Sequence, residues 1–197
     1  VTNRLLRNGG FPAPENFVFS KDELERAWNW AQNILPVVLK PNDGIMGKDV
    51  FVKIDNYLEF KECFSGITEN RDKVLVEEFV EGDEYRFTYV NGEIVGIANR
   101  VPANVIGDGK KTIKELVIEK NREREIRKNP IHKKLVLDEE SERVLKKQGY
   151  TIGSIPKYME RVYLRNNSNV STGGDAIDVT DMIDDSVKEQ VRLALKS

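Results

Sequence analysis

The chain has 197 residues, with 31 Lys and Arg against 33 Asp and Glu, one cysteine, one histidine and a formal net charge of −2. That length makes one ordinary domain or two small subdomains, and 39% hydrophobic with 8% aromatic content fits a folded soluble protein and not a disordered one. No apolar run approaches the roughly 20 residues of a membrane span, no signal-peptide pattern is present, and a single cysteine excludes a disulfide framework or a Cys-rich zinc cluster. The near-neutral balance argues against a dedicated nucleic-acid binder. The expectation is a cytoplasmic protein with no nucleic-acid and no membrane partner, with an oligomer left open.

The first predicted element is a helical turn over Thr2–Arg7, closed by Gly9-Gly10. Phe11–Pro14 follows as an extended connector, because each proline biases its predecessor away from helix. Ser20 and Glu23 have capping-box spacing. They predict a helix from Ser20, with Leu24, Ala27, Trp28, Ala31 and Leu35 on its apolar face and Pro36 at its end. Val37–Lys40 reads as a buried strand, residues 41–49 as a loop with Gly44 and Gly47, and Val50–Ile54 as a second strand. A helix over 56–66 has Leu58, Phe60, Cys63 and Phe64 for its inner face, and Val74–Val80 is the next strand.

Gly82-Asp83 predicts a junction, giving subdomains 1–81 and 82–197. Residues 84–90 and 93–100 flank Asn91-Gly92, which supplies the two positive φ angles of a type I′ hairpin turn. Gly107-Asp108-Gly109 is a second turn, and Thr112 with Glu115 forms a second capping box. Residues 110–134 are basic and read as a solvated helix face, 138–142 are acidic, and a further helix ends at Gly149. A strand over Arg161–Leu164 leads into the polar segment 166–174. Val187, Val191, Ala194 and Leu195 then follow helical spacing. The class is α+β, mostly antiparallel in its second half. The chain opens on Val1 and its last helix carries no stop signal, so a piece of a longer protein is expected.

Three stretches could carry chemistry. In Lys40–Lys48 a lysine at a strand end precedes a glycine loop and a second lysine, a pattern able to cradle phosphate. It is not a P-loop, since only two residues separate Gly44 from Gly47 and a strand follows; a plain hairpin loop is the alternative. In Val76–Arg86 adjacent carboxylates sit in an apolar strand, and they must face solvent or serve a partner, because an unpaired buried charge is expensive. In Arg165–Asn169, an extended backbone would point Arg165, Asn167 and Asn169 to one side. A guanidinium among amides suits phosphoryl or carboxylate oxygens, and a polar surface loop is the alternative.

Taken in order, and together with Arg100–Val117 and Tyr163–Asp181, these stretches resemble the ATP-grasp superfamily over essentially the whole chain. Arg100–Val117 and Tyr163–Asp181 look like the ATP-grasp regions of cyanophycin synthetase and of bifunctional glutathione synthetases. The resemblance implies an α+β ATP-grasp fold, two subdomains with antiparallel sheets enclosing a nucleotide cleft. The implied activity is an ATP-dependent carboxylate–amine ligase that works through an acyl phosphate on amino-acid or peptide substrates; a non-catalytic nucleotide-binding regulatory module is the alternative. Lys40 would then contact the phosphates, with Gly44, Gly47 and Lys48 in a lid. Glu77, Glu78, Phe79 and Val80 would form the adenine hinge, and Glu84 would accept from the ribose hydroxyls. Arg86 would reach the phosphate end, and Arg100, Arg165 and Asn167 would stabilise the transferring phosphoryl and the acyl phosphate.

Two features depart from that pattern. The superfamily holds Mg²⁺ with an Asp and a Glu-x-Asn group on late strands, and nothing in 1–197 matches. Asp175, Asp178 and Asp181 come too early and are expected to shape turns. The Mg²⁺ ligands are therefore expected beyond Ser197, and the isolated chain is expected to turn over no ATP. In addition, an unbulged Asn91-Gly92 hairpin pairs residue 84 with 99, which puts Arg100 on the face opposite Glu84 and Arg86; a bulge would bring it back. Cys63 and Trp28 read as core, Trp30 as a surface aromatic and His132 as solvated.

Overall fold

The structure, a computed structural model, describes residues 2–44, 49–128 and 131–196. The chain divides into two compact units, Val1–Gly82 with Asp184–Ser197, and Asp83–Ile183.

The first unit begins with α1 (Thr2–Asn8), ended by Gly10 at φ 80°. It continues with β1 (Asn16–Ser20), α2 (Leu24–Ala31), β2 (Val37–Pro41), β3 (Phe51–Ile54), α3 (Tyr57–Thr68) and β4 (Lys73–Glu78). The strands form one antiparallel sheet in the order β1-β4-β2-β3. Strand alternation sends Val37, Leu39, Val74 and Val76 into a core with Ala27, Ala31, Phe60, Cys63, Phe64 and Ile67 of the helices. The same alternation turns Val38, Lys40, Leu75, Glu77, Asn16 and Val18 to the other face, since cross-strand partners share a side.

Local signals in this unit are displaced where distant pairing overrides them. Ser20 ends a strand paired with Lys73 and does not open a helix. Half of the expected capping box survives, because the Glu23 carboxylate accepts the Ser20 N–H at 2.8 Å, but α2 starts only at Leu24 and stops at Ala31, leaving Leu35 at the edge of the core. Asn56 caps α3 by accepting the Glu59 N–H at 3.0 Å. That start puts Phe60, Cys63, Phe64 and Ile67 on the inner stripe and leaves Leu58 68% exposed, against expectation. Trp28 packs edge-on to Tyr57 and Phe60, while Trp30 is half-buried beside Phe17 and Phe19.

The second unit opens with the hairpin β5 (Glu84–Val90) and β6 (Glu93–Val101), turned by Asn91 at φ 50° and Gly92 at φ 90°. It continues with β7 (Asn104–Ile106), α4 (Ile113–Arg127), α5 (Glu139–Lys147), β8 (Arg161–Tyr163) and β9 (Asp175–Asp178). β5, β6 and β9 form one antiparallel sheet, and β7 pairs antiparallel with β8. Ala103, Val105, Ile113, Leu116, Val117, Leu135, Leu145, Val162 and Leu164 make the second core. Thr112 and Glu115 form the expected capping box on α4, Asp138 and Ser141 form another on α5, and Gly149 follows α5 at φ 80°. The last helix, α6 (Asp185–Lys196), has the expected spacing, but none of its described residues is fully buried. No helix among the described residues is long and apolar enough to cross a membrane.

Strand β9 corrects three expectations at once. Asp175 does not shape a turn: it accepts from Lys120 Nζ at 2.7 Å, from Arg124 Nη2 at 2.6 Å and from Asn104 Nδ2 at 3.1 Å. Lys120 and Arg124 therefore leave the solvated face expected of the basic run, and Arg124 also donates to the Gly173 carbonyl at 3.0 Å. His132 is half-buried, its Nε2 accepting the Ala176 N–H at 3.3 Å. Asp178 does shape a turn, taking the Thr180 N–H and hydroxyl.

Burial by itself would raise the Asp175 carboxyl, but the bonds and charges of Lys120 and Arg124 outweigh it and hold it below 3.8. A carboxylate lowered in the fold adds stability above its unfolded value and loses it as pH falls. Asp175→Asn leaves two cations short of a partner and is expected to cost about 2–4 kcal/mol at neutral pH. In urea denaturation, its deficit against the unsubstituted chain should close as pH drops below about 4.

Candidate functional site

In the first unit the candidate residues stand on the sheet face away from the helices. Lys40 and Glu77 lie on this face on neighbouring strands, and Lys40 Nζ meets Glu77 Oε1 at 2.6 Å. Glu77 Oε2 accepts from Asn3 Nδ2 at 3.1 Å and Asn16 Nδ2 at 3.2 Å. Both side chains keep part of their surface in solvent, 31% for Lys40 and 17% for Glu77. The result is an ammonium held in place but reachable.

β4 ends at Glu78, so Phe79 and Val80 lie past the strand in which they were expected. The backbone there is pinned: Glu78 N–H donates to Glu15 O at 2.8 Å and Phe79 N–H to Pro36 O at 3.0 Å, while Glu78 Oε2 takes the Glu15 N–H. Lys53, at φ 57°, sets its Nζ 5.1 Å from the Phe79 ring centroid and 3.2 Å from Glu81. Val80 is 61% exposed. Gly44 donates its N–H to Pro41 O at 3.3 Å, and the expected lid residues Gly47 and Lys48 lie outside the described residues.

In the second unit the hairpin register decides the site. Thr88 pairs with Gly96 and Tyr89 with Ile94, so Val95 is an extra residue, and beyond this bulge Glu84 pairs with Arg100. Glu84, Arg86 and Arg100 thus share a face, the arrangement an unbulged turn forbids. Glu84 Oε1 lies 3.3 Å from Arg100 Nη1. Glu84 Oε2 accepts from the Ser168 hydroxyl, and Arg100 Nη2 donates to Asn169 Oδ1 at 3.0 Å. Arg100 Nε is buried and finds no hydrogen-bond partner among the described residues. Arg86, opposite Ala98, is exposed.

The segment after β8 is not extended, and its three expected residues part company. The Arg165 guanidinium is buried and donates to Asp138 Oδ2 at 2.7 Å and to the Leu164 carbonyl at 2.9 Å, which ties it to the cap of α5. Asn167 Oδ1 accepts from the Thr172 hydroxyl at 2.9 Å and the Asn169 N–H at 3.3 Å, closing a 3-10 turn over Val170–Thr172. Of these three, Asn169 is the one that reaches the Glu84–Arg100 pair. Ser168, which the sequence reading did not single out, reaches it as well. Gly174 locks the segment: a Cβ there would lie 2.8 Å from Ser168 O, 2.9 Å from Asn169 O and 3.0 Å from Val101 O.

Among the described residues no group of three or more His, Cys, Asp or Glu side chains could hold a metal ion. Each unit offers cations and carboxylates on a sheet face, groups suited to the phosphates and hydroxyls of a polar ligand.

No protein-family model matches the chain. It is similar to the glutathione biosynthesis bifunctional protein GshAB of Clostridium perfringens, 39% identical over 100% of this chain and 25% of that protein. It is also similar to cyanophycin synthetase of Trichormus variabilis, 36% identical over 93% of this chain and 20% of that protein. Among solved structures, the bifunctional glutathione synthetase of Pasteurella multocida matches 99% of this chain and 27% of its own, at 34% identity and a TM-score of 0.56. The chain thus spans about a quarter of the length of these relatives or less.

Gly174→Ala must move three backbone carbonyls, including both that carry Ser168 and Asn169. It is expected to cost about 1–3 kcal/mol, read as a lower urea midpoint at an unchanged denaturant slope.

Proposed function

Starting from a chain that has the ATP-grasp fold of these ligases, we propose that residues 1–197 are the ATP-binding region of an ATP-dependent carboxylate–amine ligase. The observation that carries this reading is the likeness, in sequence and in fold, to a bifunctional glutathione synthetase over nearly the whole chain. The substrates would be amino acids or small peptides, and the setting cytoplasmic.

In the reaction proposed, a substrate carboxylate oxygen attacks the γ-phosphorus of ATP and ADP departs, leaving an acyl phosphate. An amine then attacks the acyl carbon, phosphate leaves, and the amine loses its proton. In the first unit, Lys40 exchanges Glu77 for a phosphate oxygen, and the pinned backbone of residues 77–80 presents its remaining polar groups to the adenine edge. In the second unit, Glu84 accepts from the ribose hydroxyls, and Arg86 and Arg100 neutralise phosphoryl oxygens, a fixed electrostatic contribution that needs no reorganisation during the reaction. Arg165 and Asn167 shape the segment that carries Ser168 and Asn169. Mg²⁺ would supply further neutralisation when bound. The described residues do not fit it, and no step above passes through it.

Lys40→Met removes the charge and keeps most of the side-chain volume. Losing a charge-assisted bond of about 1.5–3 kcal/mol should weaken ATP binding about 10- to 100-fold, measured by calorimetry on a protein that contains this chain. Equal affinity in the variant and the parent would sink the assignment.

A further inference from the structure

Ser168 is 7% exposed, yet its hydroxyl serves a carboxylate, Glu84, whose side chain is 54% exposed. The fold gains little from that bond, because an exposed carboxylate is already well solvated by water. The partners lie 84 residues apart in the chain, so the contact is not a by-product of local backbone geometry. Its physical effect is orientation. An unrestrained glutamate samples many rotamers, and a ligand that needs one of them must bear the entropy of ordering it.

Asn169 does the same for the facing cation, accepting from Arg100 Nη2 at 3.0 Å. Its main-chain carbonyl accepts the Thr172 and Gly174 N–H groups, at 3.1 and 3.0 Å, so the backbone that carries the amide is itself held. Glu84 keeps acceptor capacity, since a carboxylate offers about four lone-pair sites and Ser168 and Arg100 take one on each oxygen.

We infer that Ser168 and Asn169 are positioning residues that fix the Glu84 carboxylate and the Arg100 guanidinium before a ligand arrives, so that Glu84 presents one free acceptor on each oxygen to a vicinal diol. This rests on the reading that Glu84 meets the ribose of a nucleotide. Ser168 then sets how well the protein distinguishes a ribonucleotide from one that lacks both hydroxyls, without touching the nucleotide itself.

The test compares dissociation constants for ATP and 2′,3′-dideoxy-ATP in a protein that contains this chain, for the parent, Ser168→Ala and Ser168→Thr, with melting temperatures alongside. The parent should prefer ATP. Ser168→Ala should reduce that preference about three- to fivefold, the effect of one freed side chain, with the dideoxy affinity and the melting temperature nearly unchanged. Ser168→Thr, which keeps the hydroxyl, should restore the preference. An unchanged preference in Ser168→Ala overturns the inference while leaving the ATP reading intact. A parallel loss of affinity for both nucleotides, with a fall in melting temperature, makes the role merely structural and also overturns it. A parent that binds both nucleotides equally, or neither, overturns the ribose reading of Glu84 and the inference with it.

Discussion

The carboxylate of Asp175 is where the second unit is tied together. It draws Lys120 and Arg124 from α4, and Asn104 from β7, onto the first residue of β9. Burying a charge is expensive unless charges and hydrogen bonds of opposite sense surround it, so the buried carboxylate favours the arrangement in which these segments converge. Asp175 pairs across the sheet with Val101, and the next residue, Ala176, faces Arg100. Anchoring β9 therefore fixes the end of β6 on which Arg100 stands. It also anchors the exit of the segment that brings Ser168 and Asn169 to the site.

Two kinds of cation follow from burial. The guanidiniums of Arg124 and Arg165 are 7% and 9% exposed and are committed to Asp175 and Asp138; removing either carboxylate would strand a charge. Lys40, 31% exposed, shares its carboxylate with two asparagines that can hold Glu77 when the ammonium leaves. Ion pairs that still see water contribute little to stability, and for that reason such a pair can be exchanged for a phosphate without loosening the fold. By sequence alone Arg165 is as suited to a phosphoryl group as Arg100. Only the environment separates them.

Signals that close within a few residues were legible: the Asn91-Gly92 turn, the Thr112–Glu115 capping box, and the glycines that follow α1 and α5 all stand where the residues put them. The short strands β1, β7 and β9 were not, because three to five residues carry too little alternation of their own and become strands only through partners elsewhere in the chain. Lys40, Glu77 and Glu84 were visible as charges at odds with their apolar surroundings. Ser168 was not, since a serine among asparagines looks like any polar loop, and its partner lies 84 residues away. Asp175 was misread for the same reason: its cations come from 51 and 55 residues upstream.

The extra residue Val95 has a consequence for how this hairpin can change over generations. The two faces of β6 differ, with Ile97 and Val101 buried on one and Arg100 turned to the other beside Glu84. Side chains alternate with a period of two, so closing the bulge with every residue kept would slip β6 by one and exchange the faces of everything beyond it, whereas losing Val95 itself would leave Glu84 opposite Arg100. Such a slip would turn a guanidinium toward the buried side and a valine toward the side of Glu84. The hairpin can therefore lose one residue and keep its faces only by losing its bulge, while with the bulge kept its tip changes in steps of two, and its length carries information that no single residue in it does.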